Sequence, residues 1–159
     1  MEDTLLGFRV PPWVRSKDRR MIETEKFYLF DVGLANFLCG RRPCSGTPEF
    51  GKAFEHYILM ELRAYRAYRQ PDLEITFWRT STGQEVDFIL GDKLLAIEVK
   101  SSERVTDNQL KHLKALMADG PVKKSLVVCC ERAPRSYGAI EILPWKVFLE
   151  RLWAGELGI

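Results

Sequence analysis

The twenty residues from Gly83 to Ser102 leave this chain few ways to fold. Two apolar-rich stretches, Glu85–Leu90 and Leu94–Lys100, flank the turn signal Gly91-Asp92-Lys93 and read as a β-hairpin. Side chains alternate along a strand, which predicts Val86, Phe88 and Leu90 on one face, with Glu85, Asp87 and Ile89 on the other. On the second strand Leu95, Ile97 and Val99 share a face, and Ala96, Glu98 and Lys100 take the opposite one. An even loop places Asp87 beside or diagonal to Glu98, whereas an odd loop sets Asp87 against apolar neighbours. The polar residues therefore converge only in the register that also buries the apolar ones.

Around this hairpin the hydrophobic period changes twice. Phe27–Phe30 is strand-like, and Asp31 is placed to cap a short helix that runs to about Leu38 and stops at Gly40. A helix over about Phe50–Tyr68 carries Phe54, Ile58, Leu62 and Tyr65 as a core-facing stripe. Glu74–Arg79 adds a third strand before the hairpin, and a helix over about Thr106–Met117 follows, ended by Gly120-Pro121. Ser125–Cys130 is a continuous β-branched and thiol run, expected to be a strand buried on both faces. Ile140–Leu143 gives a last short strand, and Pro144 opens a helix through Trp153. The order predicts an α/β fold, a mixed sheet sandwiched by helices. Residues 1–26 read as an N-terminal arm or connector and residues 27–159 as the domain proper.

Composition narrows the function classes. With 159 residues, 46% hydrophobic and 29% charged, the chain has enough apolar material for one core, which excludes disorder and a coiled coil. No apolar run approaches the roughly 18 residues of a membrane span, and the acidic start Met1-Glu2-Asp3 is unlike a secretory signal, so a cytoplasmic protein without a membrane is expected. Cys39, Cys44, Cys129 and Cys130 lack metal-site spacing and read as buried thiols. A net charge of +2 does not announce a nucleic-acid binder, although Arg15, Lys17, Arg19 and Arg20, the pair Arg41-Arg42, and Arg63, Arg66 and Arg69 form local basic clusters.

The chemistry-bearing residues are Asp87, Glu98 and Lys100. Two carboxylates and a lysine on one face suit Mg²⁺ or Mn²⁺, hard cations that take oxygen ligands, retain water and bridge to phosphate. Without an ion, two carboxylates about 4 Å apart repel by roughly 4 kcal/mol at an effective dielectric of 20. The competing reading is a wet polar face in which Glu85, Asp87, Glu98 and Lys100 pair as surface charges. Arg79 and Ser101 are candidates to contact substrate, and Ser101 and Ser102 to orient water or end the strand. His56 falls off the core stripe and reads as a surface residue; Trp78 reads as core.

An acid in one strand, ten residues, then Glu98-x-Lys100 in the next resembles the PD-(D/E)xK nuclease superfamily, with Asp87, Glu98 and Lys100 at the signature positions. Glu55, in Gly51-Lys52-Ala53-Phe54-Glu55, matches the acid that many members carry on their first core helix. A closer resemblance is to the nuclease-like domain of unknown function at the C-terminus of many prokaryotic AAA-type ATPases, carried by Lys26–Leu34, Gly51–Glu55 and Trp78–Lys100. It implies a restriction-endonuclease-like sheet and a metal-dependent deoxyribonuclease, with Glu55, Asp87 and Glu98 as ligands of Mg²⁺ or Mn²⁺ and Lys100 positioning the attacking water. It also implies an ATPase domain or partner, although the chain contains no G-x-x-x-x-G-K-[ST] loop. The resemblance also implies Gln109 as a substrate contact, although Gln109 is followed four residues later by Leu113, where some related nucleases have tyrosine. The alternative is a catalytically inactive module of the same fold that binds nucleic acid or a partner protein and regulates an ATPase. Leu5, Leu6, Phe8, Val10 and Trp13 form an apolar arm, expected to pack on its own sheet or on a second copy, and a homodimer burying Trp13 between chains is the expectation.

Overall fold

The computed structural model describes residues 6–14 and 24–159. Leu5 and the basic residues Arg15, Lys17, Arg19 and Arg20 lie outside the described residues. Strands β1 (Gly7–Val10) and β2 (Lys26–Leu29) form an antiparallel ribbon. Helix α1 (Val32–Leu38) starts at Asp31, whose carboxylate accepts from Leu34 N at 2.6 Å. Helix α2 (Pro48–Arg69) starts at Thr47, whose hydroxyl accepts from Phe50 N at 3.2 Å, with Pro48 in the first turn and Arg66 and Arg69 in the last.

The rest of the chain builds β3 (Ile75–Arg79), β4 (Glu85–Leu90), β5 (Leu95–Lys100), α3 (Lys111–Asp119), β6 (Lys124–Cys129), β7 (Arg135–Tyr137), β8 (Ile140–Pro144) and α4 (Trp145–Trp153). A single 3₁₀ turn, Asp107–Leu110, precedes α3. The six-stranded sheet has the order β3-β4-β5-β6-β8-β7. Its first three strands are antiparallel, while β5, β6 and β8 run parallel and β7 returns antiparallel at the edge. The mixed α/β fold is the one expected. The central β6 is covered on both sides: Leu126 and Val128 join the core under α2 and α4, and Val127 and Cys129 the core under α3. The exposed three-residue β7 has no apolar pattern to announce it.

The apolar arm has its partner within the chain. Phe8 and Val10 are buried in the core beneath α2, and Phe8 stacks on Tyr28 with ring centroids 6.0 Å apart. Pro11 and Trp13 then grip β3: Phe77 N donates to Pro11 O at 3.1 Å, and Trp13 N to Phe77 O at 2.6 Å. Trp13 is half-buried with the Lys93 ammonium 4.1 Å from its ring centroid. Phe8, Val10 and Trp13 thus find packing partners within one chain, so a second copy is not required to cover them. Two expectations are corrected. Cys39 and Cys44 are exposed, and only Cys129 is a fully buried thiol, its pKa pushed up by burial to about 11. His56 is buried, not superficial, because β2 covers it and its Nε2–H donates to Leu29 O at 2.8 Å. Among the described residues no helix is long and apolar enough to cross a membrane.

Candidate functional site

The hairpin loop between β4 and β5, Gly91–Leu94, has four residues, so the register is the even one: Leu90 faces Leu95, Ile89 faces Ala96 and Phe88 faces Ile97. Ladder pairing ends there, and the strands part at Asp87 and Glu98. On the other side of β4, Thr76 pairs with Ile89 but Trp78 with Val86, leaving Phe77 opposite both Asp87 and Phe88. This bulge breaks the alternation. Val86 packs with Ile89 in the core under α3, while Phe88 and Leu90 pack under α2, so the single face expected for Val86, Phe88 and Leu90 does not form. A bulge twists the strand locally and re-aims a side chain. Here the Asp87 carboxylate reaches across the fork and its Oδ2 accepts from Val99 N at 2.8 Å, taking the place of a ladder bond.

Asp87 and Glu98 are both buried, at 9% and 1% relative exposure. Burial pushes the Asp87 carboxyl well above the usual carboxylate range, and Glu98, its strongest electrostatic neighbour, pushes it further. Burial likewise raises the Glu98 carboxyl against the pull of Lys100, whose Nζ lies 2.6 Å from Glu98 Oε1. For Lys100, burial opposes the charge, but Glu98 and Asp87 outweigh it and hold the ammonium on. His112, from α3, brings its Nδ1 to 3.8 Å from the same Oε1. Burial, with Lys100 and Lys111, holds its pKa below the ordinary value, so the ring is neutral at pH 7. The other oxygen, Glu98 Oε2, is buried with no hydrogen-bond partner in the structure.

Glu55, on α2, faces this fork but is already engaged. Tyr28 OH donates to Glu55 Oε1 at 2.6 Å, and Lys26 Nζ lies 3.2 Å from the same atom. Lys26 also pairs with Glu85, and Glu85 in turn pairs with Arg79. Burial works against the charges of both Lys26 and Glu85, yet their partners win: the Lys26 pKa ends above its ordinary value and the Glu85 carboxyl below its own. Arg79, expected to meet substrate, is therefore committed to Glu85 and to the Phe77 ring, 5.3 Å from its centroid. Lys26, Tyr28 and His112 were not legible as members of the site, and Glu85 reads from the sequence only as a surface charge on the face of Asp87. Lys26 and Tyr28 sit two apart on a strand, a spacing that shares a face, but no sequence signal says which helix that face meets.

A cleft of about 410 Å³ opens over the fork, lined by Gly51, Lys52 and Glu55 of α2, by Asp87 and Lys100, and by Ser101 and Gln109. Gln109 Oε1 accepts from Thr106 N at 2.9 Å and its Nε2 donates to Ser102 Oγ at 3.4 Å, so the 3₁₀ turn holds it in place. Arg63 lies over the Phe8 ring at 3.4 Å and Arg66 donates to Pro71 O at 3.3 Å, so these two of the three arginines of α2 are engaged within the chain. The donor chemistry fits a hard cation in part. Two buried carboxylates at one fork, one with an orphaned oxygen, suit an ion that keeps several waters and needs only one or two carboxylates. The three-carboxylate set of Glu55, Asp87 and Glu98 is not assembled: among the described residues no three His, Cys, Asp or Glu side chains are placed to hold a metal ion together.

Among known families, residues 50–148, well over half of the chain, match a domain of unknown function, DUF4143. No curated protein and no solved structure matches the chain.

Proposed function

The chain belongs to the DUF4143 family, and we propose that it hydrolyses phosphodiester bonds in DNA with a divalent cation, Mg²⁺ or Mn²⁺, at the fork between β4 and β5. The observation that carries this reading is the buried pair Asp87 and Glu98, with raised carboxyl pKa values and Glu98 Oε2 unsatisfied, beside a cleft that Asp87 and Lys100 line. Such an arrangement costs the fold stability, which supports reading the pair as a functional site. Asp87 and Glu98 would hold the ion, whose chemistry there is Lewis-acid stabilisation of charge on the phosphate oxygens. Lys100 keeps its proton beside both acids, orients the attacking water and offers a second positive charge to the phosphate. Ser101 and Gln109 border the same cleft, where a hydroxyl and an amide donor meet phosphate oxygens.

The Lys26 clamp on Glu55 and Glu85 favours a second reading, a module that does not cleave but binds nucleic acid or a partner protein and regulates an ATPase. Cleavage of labelled single- and double-stranded DNA by the wild type, Asp87→Ala and Lys100→Ala, in Mg²⁺ and in Mn²⁺, separates the two. The nuclease reading expects metal-dependent cleavage by the wild type and a loss of at least a hundredfold in each variant. Cleavage that survives both substitutions refutes it, and DNA binding without cleavage selects the module.

A further inference from the structure

The ammonium of Lys26 stands among acids that the cleft would otherwise offer to an ion. Strand β2 presents Lys26 and Tyr28 on one face, and both converge on Glu55 Oε1, at 3.2 Å and 2.6 Å. The same ammonium pairs with Glu85 and lies 5.2 Å from the Phe77 ring centroid, its side chain only 15% exposed. Asp87 is close enough that the two charges attract. One buried cation thus neutralises Glu55 and Glu85, while Glu98 Oε2 at the neighbouring fork has no partner.

We propose that Lys26 is a positioning residue that sets the affinity of the site for divalent cations, by holding Glu55 back from the ion at Asp87 and Glu98 and by adding its own positive charge beside it. This rests on the metal-site reading of Asp87 and Glu98. A divalent ion at the fork then has two protein carboxylates and a nearby ammonium, a weak set that leaves open positions for waters and phosphate. Removing the ammonium frees Glu55 to become a third ligand and removes a like-charge repulsion. Lys26→Arg keeps the charge and both acid partners, and therefore keeps the affinity low. Tyr28→Phe removes only the second hold on Glu55, so its effect is smaller than that of Lys26→Met and in the same direction.

Mn²⁺ titration of the purified chain, followed by calorimetry and by electron paramagnetic resonance of free Mn²⁺, tests this without reference to activity. The expected result is that Lys26→Met binds Mn²⁺ on the order of tenfold more tightly than the wild type, that Lys26→Arg does not, and that Lys26→Met/Glu55→Gln loses the gain. Should Lys26→Met fail to fold, Tyr28→Phe carries the test, with a tightening that Glu55→Gln abolishes. Unchanged or weaker Mn²⁺ binding in the folded Lys26→Met or Tyr28→Phe chain overturns the proposal. Asp87→Asn separates the two levels: if it binds Mn²⁺ as the wild type does, the metal site itself is misassigned, whereas loss of binding in Asp87→Asn with no gain in Lys26→Met overturns the role of Lys26 alone.

Discussion

Glu98 is placed where a carboxylate is costly, and the cost depends on pH. Burial raises its folded pKa, and that of Asp87, above the unfolded values of about 4.3 and 3.9. Raised folded values mean that the fold prefers the protonated acids. The stability they contribute is fully present below the unfolded pKa values and is lost as pH rises through the folded ones. Glu98→Gln removes one such group and leaves an amide oxygen able to accept from Lys100, now 2.6 Å from Glu98 Oε1. The metal-free variant is therefore expected to match the wild type near pH 4 and to become more stable towards pH 7, by about 0.5–2 kcal/mol. Urea unfolding at a series of pH values measures this, and a variant less stable than the wild type at pH 7 contradicts the electrostatic account.

Helix α2 meets the cleft with Gly51, where a Cβ would lie 3.5 Å from Ser101 Oγ, an ordinary contact. Gly51→Ala should thus stabilise the fold by about 0.5–1 kcal/mol through helix propensity, read as a higher urea midpoint, while narrowing the cleft. If the cleft admits the DNA backbone, cleavage falls in the same variant. The elements themselves were legible because their signals are local: the cap at Asp31, the stripe Phe54–Ile58–Leu62–Tyr65 and the buried run of β6 all stand as expected, while the loop parity left open by the sequence is settled as even because β5 starts at Leu95 and not at Leu94. What was hidden is set by contacts distant in sequence. The bulge at Asp87 arises in the pairing of β4 with β3 and leaves no mark on the alternation of residues 85–90. Gly7–Val10 reads as loose arm because a four-residue strand beside Pro11-Pro12 gains its stability only from β2 and the core below. The site was legible for Asp87, Glu98 and Lys100, which share one hairpin, and not for Lys26 and His112, which reach it from separate elements.

Across the whole molecule, the β1–β2 ribbon ties the N-terminal segment to both α2 and β3 and carries Lys26 to the acid cluster. Phe8 anchors it, buried between Tyr28 and the Arg63 guanidinium. Phe8→Ala should cost about 3 kcal/mol of unfolding free energy and, by loosening the hold of Lys26 on Glu55, tighten Mn²⁺ binding. Denaturant unfolding and Mn²⁺ titration of the same variant read both effects, and a stability loss with unchanged Mn²⁺ affinity would show that the ribbon is scaffold only.

The central claim is that the fold accepts an unfavourable acid pair in order to hold a cation. Calorimetric melting of the wild type and Asp87→Asn, each without metal and in millimolar Mg²⁺, tests it most directly. An asparagine oxygen at position 87 still accepts from Val99 N, now 2.8 Å from the Asp87 carboxylate, so the variant keeps this bond across the fork. The account predicts a crossing: without metal Asp87→Asn melts higher, by about 2–4 °C for each kcal/mol relieved, whereas Mg²⁺ raises the wild type by mass action and leaves the variant where it was. A wild type that does not respond to Mg²⁺, or an equal rise in both proteins, would contradict the claim.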